Sequence, residues 1–226
     1  MFKEDYEKFR GLIERSVPHL DEREFLDRLE PLYIKHKAIN DIHNLTRITS
    51  PSDFFEKHVV DSLLIGIIAP ELMTGFFKIA DVGCGGGFPC LPLAMVNPNL
   101  DIHGVESLNK KVSAVNEVAQ SCNLTNLFVH KARAREFSRQ PEFNKSFDVV
   151  TARAVATADI LIRECRQMLK PDGRLLFYKT PEAIQKEMKL TERDSKKHKL
   201  KLELSEVIPL SKESGDRQFY IMSYEG

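Results

Sequence analysis

The segment that most constrains this fold is a glycine-rich turn in residues 76–93, which read FFKIADVGCGGGFPCLPL. An apolar run leads into Asp81, and four of the five positions 83–87 are glycine. Short apolar runs are typical of buried parallel strands, and glycine lets a backbone turn sharply and approach a ligand closely. Pro89 suits the first turn of a helix. The segment therefore predicts a strand, a glycine turn and a helix, the place where doubly wound α/β folds bind nucleotide-like cofactors.

An acidic residue follows the glycines at the distance expected for a ribose contact. Residues 101–105 predict a second strand that ends at Glu106, about 20 residues past the turn. The alternative is a solvated acid at a strand end. Gly83-x-Gly85-x-Gly87 lacks the last glycine of the dinucleotide-binding fingerprint Gly-x-Gly-x-x-Gly, because Phe88 occupies that position. This spacing disfavours hydride transfer from NAD and favours S-adenosylmethionine (SAM) as the cofactor.

Composition excludes several other classes of protein. The 226 residues include 33 basic and 33 acidic side chains, so a nucleic-acid partner would have to be bound by local patches. We find no apolar stretch long enough for a membrane span and no secretory signal in the charged start, and we expect the protein to remain in the cytoplasm. The four cysteines show no metal-ligand spacing, so we expect neither a metal site nor disulfides.

The chain predicts an α/β fold with two parts. In residues 1–70, apolar residues at three- and four-residue steps predict three helices, the second capped by Asp21 and the third running from Pro51 to about Ile68. We expect these helices to form an N-terminal cap packed on the core. Residues 71–226 alternate strands and helices and predict one integrated Rossmann-like domain, with a seven-stranded, mostly parallel sheet covered by helices on both faces.

The sequence of the core also predicts three local features. We expect Asn109 to cap a helix, residues 170–173 to form a tight turn, and Leu200 to Ile208 to form a single strand.

Two short motifs in the predicted cap are candidates for function. Asn44-Leu45-Thr46 falls in a loop between helices. His58 and Asp61 are spaced three residues apart, so they would share one face of a helix, with Ser62 adjacent. The alternative is a local pair that only stabilises the helix.

Four motifs together carry a family resemblance. They are Asn44-Leu45-Thr46, residues 58–63 (HVVDSL), residues 81–89 (DVGCGGGFP) and residues 151–156 (TARAVA). In this order the chain resembles the RsmG/GidB family of bacterial small-subunit ribosomal RNA methyltransferases, over roughly residues 5 to 224. The glycine turn is common to class I methyltransferases, whereas the Asn-Leu-Thr and His-x-x-Asp-Ser motifs are more particular.

The resemblance implies a class I SAM-dependent methyltransferase that modifies guanine N7 in helix 18 of 16S rRNA. Its substrate would be 16S rRNA, the small ribosomal subunit or an assembly intermediate, and we expect a cytoplasmic monomer. The residues implied or argued to bind SAM are Gly83, Gly85, Gly87, Phe88, Glu106, Ala134, Arg135 and Arg153. This chain has Arg135 where the family often has an acid, Cys90 where it usually has glycine, and Thr180 where it tends to have glycine.

Arg153 is the side chain we expect to position the substrate or SAM. It follows the fourth predicted strand, at the carboxyl edge where open α/β sheets bind ligands. It could bind the methionine carboxylate, or guanine O6 while N7 stays free. The alternative is a surface arginine that pairs with Asp148 or Glu164. We assign His58 and Asp61 to shaping the site.

Three basic clusters are candidates for RNA contacts. They are the cluster Lys131, Arg133, Arg135 and Arg139, the pair Lys110 and Lys111, and the group Lys196, Lys197, His198 and Lys199. The first cluster is the best placed, because it follows the third strand. Charge runs are also common on solvated faces, so the alternative for each is a surface without a partner. Two other functions stay open: a class I methyltransferase of a small molecule or protein, and a SAM-binding module without catalysis.

Overall fold

The computed structural model describes residues 1–225, which form ten α-helical segments and eight strands. The helical segments are α1 Lys3–Ser16, α2 Glu22–His43, α3 Pro51–Asp53, α4 Asp61–Leu63, α5 Ile65–Ile68, α6 Cys90–Val96, α7 Asn109–Ser121, α8 Ala134–Phe137, α9 Ala158–Cys165 and α10 Pro181–Lys197. The strands are β1 Lys78–Val82, β2 Asp101–Glu106, β3 Leu127–Lys131, β4 Phe147–Arg153, β5 Leu169–Lys179, β6 Leu200–Leu204, β7 Ile208–Ser211 and β8 Gly215–Tyr224. A π-helix spans Phe54–Val60, and 3₁₀ turns span Pro70–Met73 and Arg166–Met168.

These elements fall into two compact units. The first contains residues 1–77 and 84–131, and the second contains residues 78–83 and 132–225. The predicted division at residue 70 stays a prediction. None of the helices in residues 1–225 combines the length and apolar character needed to cross a bilayer.

The first two helices form as the apolar spacing predicts. Phe2, Tyr6, Phe9 and Ile13 are buried along α1 and the residue before it. The carboxylate of Asp21 accepts a hydrogen bond from the backbone N–H of Glu24 at 2.8 Å, which confirms the predicted cap of α2.

The third predicted helix has the expected extent, but it is not uniformly α-helical. Ser50 caps its start, and α3, the π-helix, α4 and α5 together occupy residues 51–68. The N–H of Asp61 bonds to the carbonyl of Glu56, five residues earlier, as in a π-helix. Phe54 and Phe55 are buried, and so are Val59 and Val60 five residues later. This five-residue spacing of apolar pairs is visible in the sequence, but a prediction based on three- and four-residue steps overlooks it.

The rest of the first unit supplies a parallel strand pair. β2 and β3 pair from Ile102–Leu127 to Glu106–Lys131. Val112, Val115 and Val118 are buried on α7. The expected cap at Asn109 is wrong, because this residue is the first of the helix and Leu108 holds the cap position without a side-chain bond.

The second unit orders its strands β1-β4-β5-β8-β6, with β7 paired to β8. β1, β4 and β5 are parallel, and β8 runs antiparallel to β5, β6 and β7. The predicted strand from Leu200 to Ile208 is two strands, so residues 1–225 contain eight strands where we expected seven. The break occurs at Ser205, which forms two hydrogen bonds with the backbone of Phe219. The N–H of Ser205 donates to the carbonyl of Phe219 at 3.0 Å, and the N–H of Phe219 donates to the hydroxyl of Ser205 at 2.9 Å. Residues 170–173 lie within β5, so the expected turn there is wrong.

Candidate cofactor and substrate site

Backbone conformation explains why glycine is needed in the turn after β1. Gly83, Gly85 and Gly87 have φ angles of +69°, +57° and +97°, which are in the left-handed region. A Cβ atom on Gly87 would lie 2.3 Å from Cδ1 of Leu91. A side chain at Gly87 would therefore strain the backbone and require Leu91 to move.

Short hydrogen bonds hold this turn in one shape. The N–H groups of Gly87 and Phe88 both donate to the carbonyl of Cys84, at 2.8 and 3.0 Å. The N–H of Leu91 then donates to the carbonyl of Gly87 at 2.8 Å and starts the helical path into α6. The predicted glycine turn and the helix after it are thus present.

Glu106 lies beside the glycine turn, at the end of β2. Its Oε2 accepts from the N–H of Gly85 at 3.2 Å, and its Oε1 accepts from the N–H of Leu108 at 2.9 Å and the hydroxyl of Ser107 at 3.3 Å. The residue is only 8% exposed, and within residues 1–225 no basic side chain forms an ion pair with it. A carboxylate has about four acceptor sites. The three donors leave capacity for a ligand hydroxyl, so these residues fit the ribose of a nucleoside cofactor.

His58 stacks on Phe88, which connects the His-x-x-Asp-Ser motif to the glycine turn. The two rings are 4.0 Å apart and tilted by only 8°. His58 Nε2 lies 3.0 Å from the hydroxyl oxygen of Thr46, within hydrogen-bond distance. The structure therefore brings together three motifs that the sequence separates. Asp61 is also buried, and the hydroxyl of Ser62 donates to the carbonyl of His58.

His36 belongs to the same cluster, although it is absent from the site residues predicted above. Its Nε2–H donates to the carbonyl of Gly86 at 2.9 Å, and its ring contacts Phe54 and Phe88. Burial lowers the pKa of His36, and the hydrogen bond to Gly86 raises it by a smaller amount. The net pKa is below its usual value, so the ring is neutral at pH 7. The signal in the sequence is its position three residues after Tyr33, on the buried face of α2.

A polar cavity of about 820 Å³ lies beside this cluster in the first unit. Its walls come from the end of α2, from residues 44–47 and 49, and from Lys111 at the start of α7. The Asn-Leu-Thr motif thus lines a cavity on one side and contacts His58 on the other.

The remaining predicted SAM contacts fall in the second unit. Ala134 and Arg135 begin α8, and Arg135 is exposed. Arg153 is the last residue of β4 and is half-buried, and Ala154 after it has a φ of +57°. Asp148, one alternative partner for Arg153, accepts hydrogen bonds from Nζ of Lys170 at 2.6 Å and from the N–H of Lys78 at 2.7 Å.

Lys179 at the end of β5 fixes the segment that follows Arg153. Its Nζ donates to the carbonyl of Ala156 at 2.8 Å and lies 2.8 Å from Oε1 of Glu187 on α10. Both side chains of this ion pair are nearly buried. This buried pair therefore joins β5, α10 and the segment 154–157.

The basic residues proposed for RNA lie mostly at the surface. Lys131, Arg133 and Arg139 are exposed, as are Lys196 and Lys197 in the last turn of α10. Within residues 1–225 no group of three His, Cys, Asp or Glu side chains could hold a metal ion.

Comparison with known proteins adds a family match. A family model described as rRNA small subunit methyltransferase G matches residues 26–219. Curated relatives named "Ribosomal RNA small subunit methyltransferase G" include one from Levilactobacillus brevis, 42% identical over 143 residues, and one from Mesoplasma florum, 35% identical over 191 residues. These matches cover 63% and 84% of this chain, and 59% and 78% of the relatives. The matched part of the chain thus spans less than two thirds of the first of these relatives.

Solved structures match the fold at low sequence identity. Fibrillarin from Aeropyrum pernix, in complex with SAM, matches with a TM-score of 0.54 and 19% identity over 72% of each chain. A SAM-dependent methyltransferase from Aquifex aeolicus matches with a TM-score of 0.56 and 16% identity, over 83% of this chain and 97% of that one. These likenesses confirm the predicted class I methyltransferase fold.

Proposed function

Because this chain belongs to the rRNA small subunit methyltransferase G family, we propose that it transfers a methyl group from SAM to 16S rRNA. The observation that carries the proposal is the family match over residues 26–219. We further propose guanine N7 in helix 18 as the target atom, in the small ribosomal subunit or an assembly intermediate. The protein would then act in the cytoplasm as a monomer.

We propose that the glycine turn and Glu106 hold the cofactor. The left-handed glycines leave the backbone of the turn without side chains, and the Glu106 carboxylate beside Gly85 has spare acceptor capacity for ribose hydroxyls. Gly83, Gly85, Gly87 and Phe88 would contact SAM from the turn. Ala134, Arg135 and Arg153 are proposed as further contacts, on the resemblance.

Methyl transfer to guanine N7 requires correct orientation of the two reactants and no acid or base. When bound, SAM supplies a methyl group on a sulfonium, which a nucleophile can displace in line. Guanine N7 already carries a free lone pair, so no proton has to leave it. Positioning of reactants can supply about 7–11 kcal/mol of barrier reduction. The task of this chain is therefore to hold both partners and exclude water.

Arg153 is our proposed positioning group for the methionine carboxylate or for guanine O6. Its place at the end of β4 supports this role, because parallel α/β sheets bind ligands at that edge. His58 and Asp61 are proposed to shape the site, which the stack of His58 on Phe88 supports. Lys131, Arg133, Arg139, Lys196 and Lys197 are proposed RNA contacts, supported by their exposure.

The test is methyl transfer with a mapped product. Purified protein would be incubated with tritiated SAM and either unmethylated 30S subunits or naked 16S rRNA, and 7-methylguanosine would be located by borohydride–aniline cleavage. We expect label at a guanine of helix 18. Label at another nucleotide would show that the proposed target position is wrong. SAM binding without transfer would instead indicate a module without catalysis, and transfer only to a small molecule or protein would indicate another methyltransferase class.

A further inference from the structure

The cavity at the end of α2 is lined by two basic side chains, Arg47 and Lys111. Within residues 1–225 neither side chain forms an ion pair. The acidic residue in the lining, Asp41, is paired with Lys37 at 2.9 Å. The cavity therefore has an uncompensated positive charge, which favours an anionic ligand.

The placement of Lys111 is unfavourable for the helix that carries it. Lys110 and Lys111 lie in the first turn of α7, which contains no acidic residue. The N-terminus of a helix carries partial positive charge, so cations there are destabilising. Lys111 is half-buried toward the cavity, and Lys110 is exposed and does not line it. A bound anion would offset the unfavourable interaction between Lys111 and the N-terminus of α7.

The opposite wall of the cavity is held in a fixed position. The N–H of Thr46 donates to the side-chain oxygen of Asn40 at 2.8 Å, and the hydroxyl of Thr46 lies 3.0 Å from His58. Because His58 stacks on Phe88, the loop with Arg47 is connected to the glycine turn through two contacts. The cavity is thus positioned relative to that turn.

The lining also indicates the class of ligand. A volume of about 820 Å³ is within the range of roughly 300–1,000 Å³ that is usual for ligand pockets. Such pockets are mostly apolar, whereas seven of the eight lining residues here are polar or charged. The cavity fits a polar, anionic ligand better than an apolar small molecule.

We propose that this cavity binds a backbone phosphate of the substrate RNA through Arg47 and Lys111. The identity of the anion as RNA rests on the proposed function. Phosphate contacts of this kind set the register of an RNA on a protein without reading its sequence. The cavity would hold the RNA in register for the target base.

The test measures RNA affinity without SAM. Binding of a fluorescent 16S fragment that contains helix 18 would be followed by anisotropy at several salt concentrations. Arg47→Gln and Lys111→Gln should each weaken binding about tenfold at low salt, because each removes a charged contact to phosphate. Each should also reduce the slope of log affinity against log salt by about 0.7–0.9.

Lys110→Gln distinguishes the cavity from the basic pair Lys110 and Lys111 taken as a whole, because it removes the same charge one residue away and outside the cavity. It should leave affinity within about twofold of the wild type. SAM affinity, measured by calorimetry, should be unchanged in all three variants. Equal losses in Lys110→Gln and Lys111→Gln would overturn the proposal in favour of a diffuse charge effect. The proposal would also be overturned if Arg47→Gln and Lys111→Gln both bound the fragment as tightly as the wild-type protein. It would likewise fail if the wild-type protein did not bind the fragment.

Methyl transfer is measured separately, so the two proposals can fail independently. A protein that binds the fragment through Arg47 and Lys111 but transfers no methyl group would refute the proposed function alone.

Discussion

At the scale of single residues, His36 shows how one buried side chain holds the glycine turn. It is 1% exposed, and it donates to the carbonyl of Gly86 while its ring packs on Phe54 and Phe88. A protonated ring at this position would be desolvated, so the folded state favours neutral His36.

This burial predicts a pH dependence of stability. The pKa of His36 is lowered from 6.5 in the folded state, so below pH 6.5 the unfolded chain binds a proton that the folded chain does not. The stabilisation is present above pH 6.5 and is lost as the pH falls toward the lower folded pKa, by at most about 1.4 kcal/mol per pH unit. Urea denaturation between pH 7 and 5 would measure it. His36→Gln should show a shallower decline, and parallel curves would contradict the assignment.

Arg153 carries the prediction about turnover. Arg153→Ala should lower kcat/KM for 30S methylation by about 10²–10³, the usual cost of removing one positioned donor. Its melting temperature should stay near that of the wild type, because the residue ends a strand and is half-buried. Arg193→Ala removes an exposed arginine of α10 and serves as the control. Full activity in Arg153→Ala would remove this residue from the site.

At the scale of elements, the buried pair of Lys179 and Glu187 joins a strand to a helix. The two side chains are 11% and 7% exposed, and the lysine also holds the carbonyl of Ala156. Removal of one partner from such a pair leaves an uncompensated buried charge, whereas removal of both is often tolerated.

Lys179→Met should therefore lower the free energy of unfolding by about 3 kcal/mol. The double variant with Glu187→Met should recover part of this loss, so the two effects should not add. Urea denaturation of the cycle measures both. Lys201→Met, in the exposed pair of Lys201 with Glu203, is the control and should change little. Strict additivity would show that the pair is not coupled.

The elements also show how far the sequence could predict the fold. β1, the glycine turn, β2, the cap of α2 and the start of α3 at Pro51 follow from local signals in the sequence. The break at Ser205 depends on hydrogen bonds to Phe219, a partner 14 residues away. The contact of His58 with Phe88 joins residues 30 positions apart, and no local pattern indicates it.

At the scale of the whole molecule, equal numbers of basic and acidic residues mean that binding of the proposed RNA substrate would depend on where the charges lie. The sequence could give that balance and the candidate clusters. The sequence could not show that Arg47 and Lys111 line one cavity. The two residues are 64 positions apart, and the fold brings the loop after α2 close to the start of α7.

Cofactor choice can be tested on the intact protein by its melting temperature. SAM at 100 times its Kd should stabilise the fold by about 2.7 kcal/mol and raise Tm, because it binds only the folded state. NAD should not raise Tm, since Phe88 replaces a glycine of the dinucleotide pattern. Glu106→Gln should reduce the shift caused by SAM. A shift with NAD that equals the one with SAM would contradict the cofactor assignment.

The π-helix at Phe54–Val60 has a consequence for changes in chain length. Its turns use more residues than those of an α-helix. In a regular α-helix, the loss of one residue would turn everything after it by about 100° around the axis. Here the wider turns already hold a surplus residue, so a deletion ahead of His58 would let ordinary α-helical winding resume and leave the imidazole facing Phe88. Single-residue deletions in this stretch should thus be less disruptive than deletions within α2 or α10.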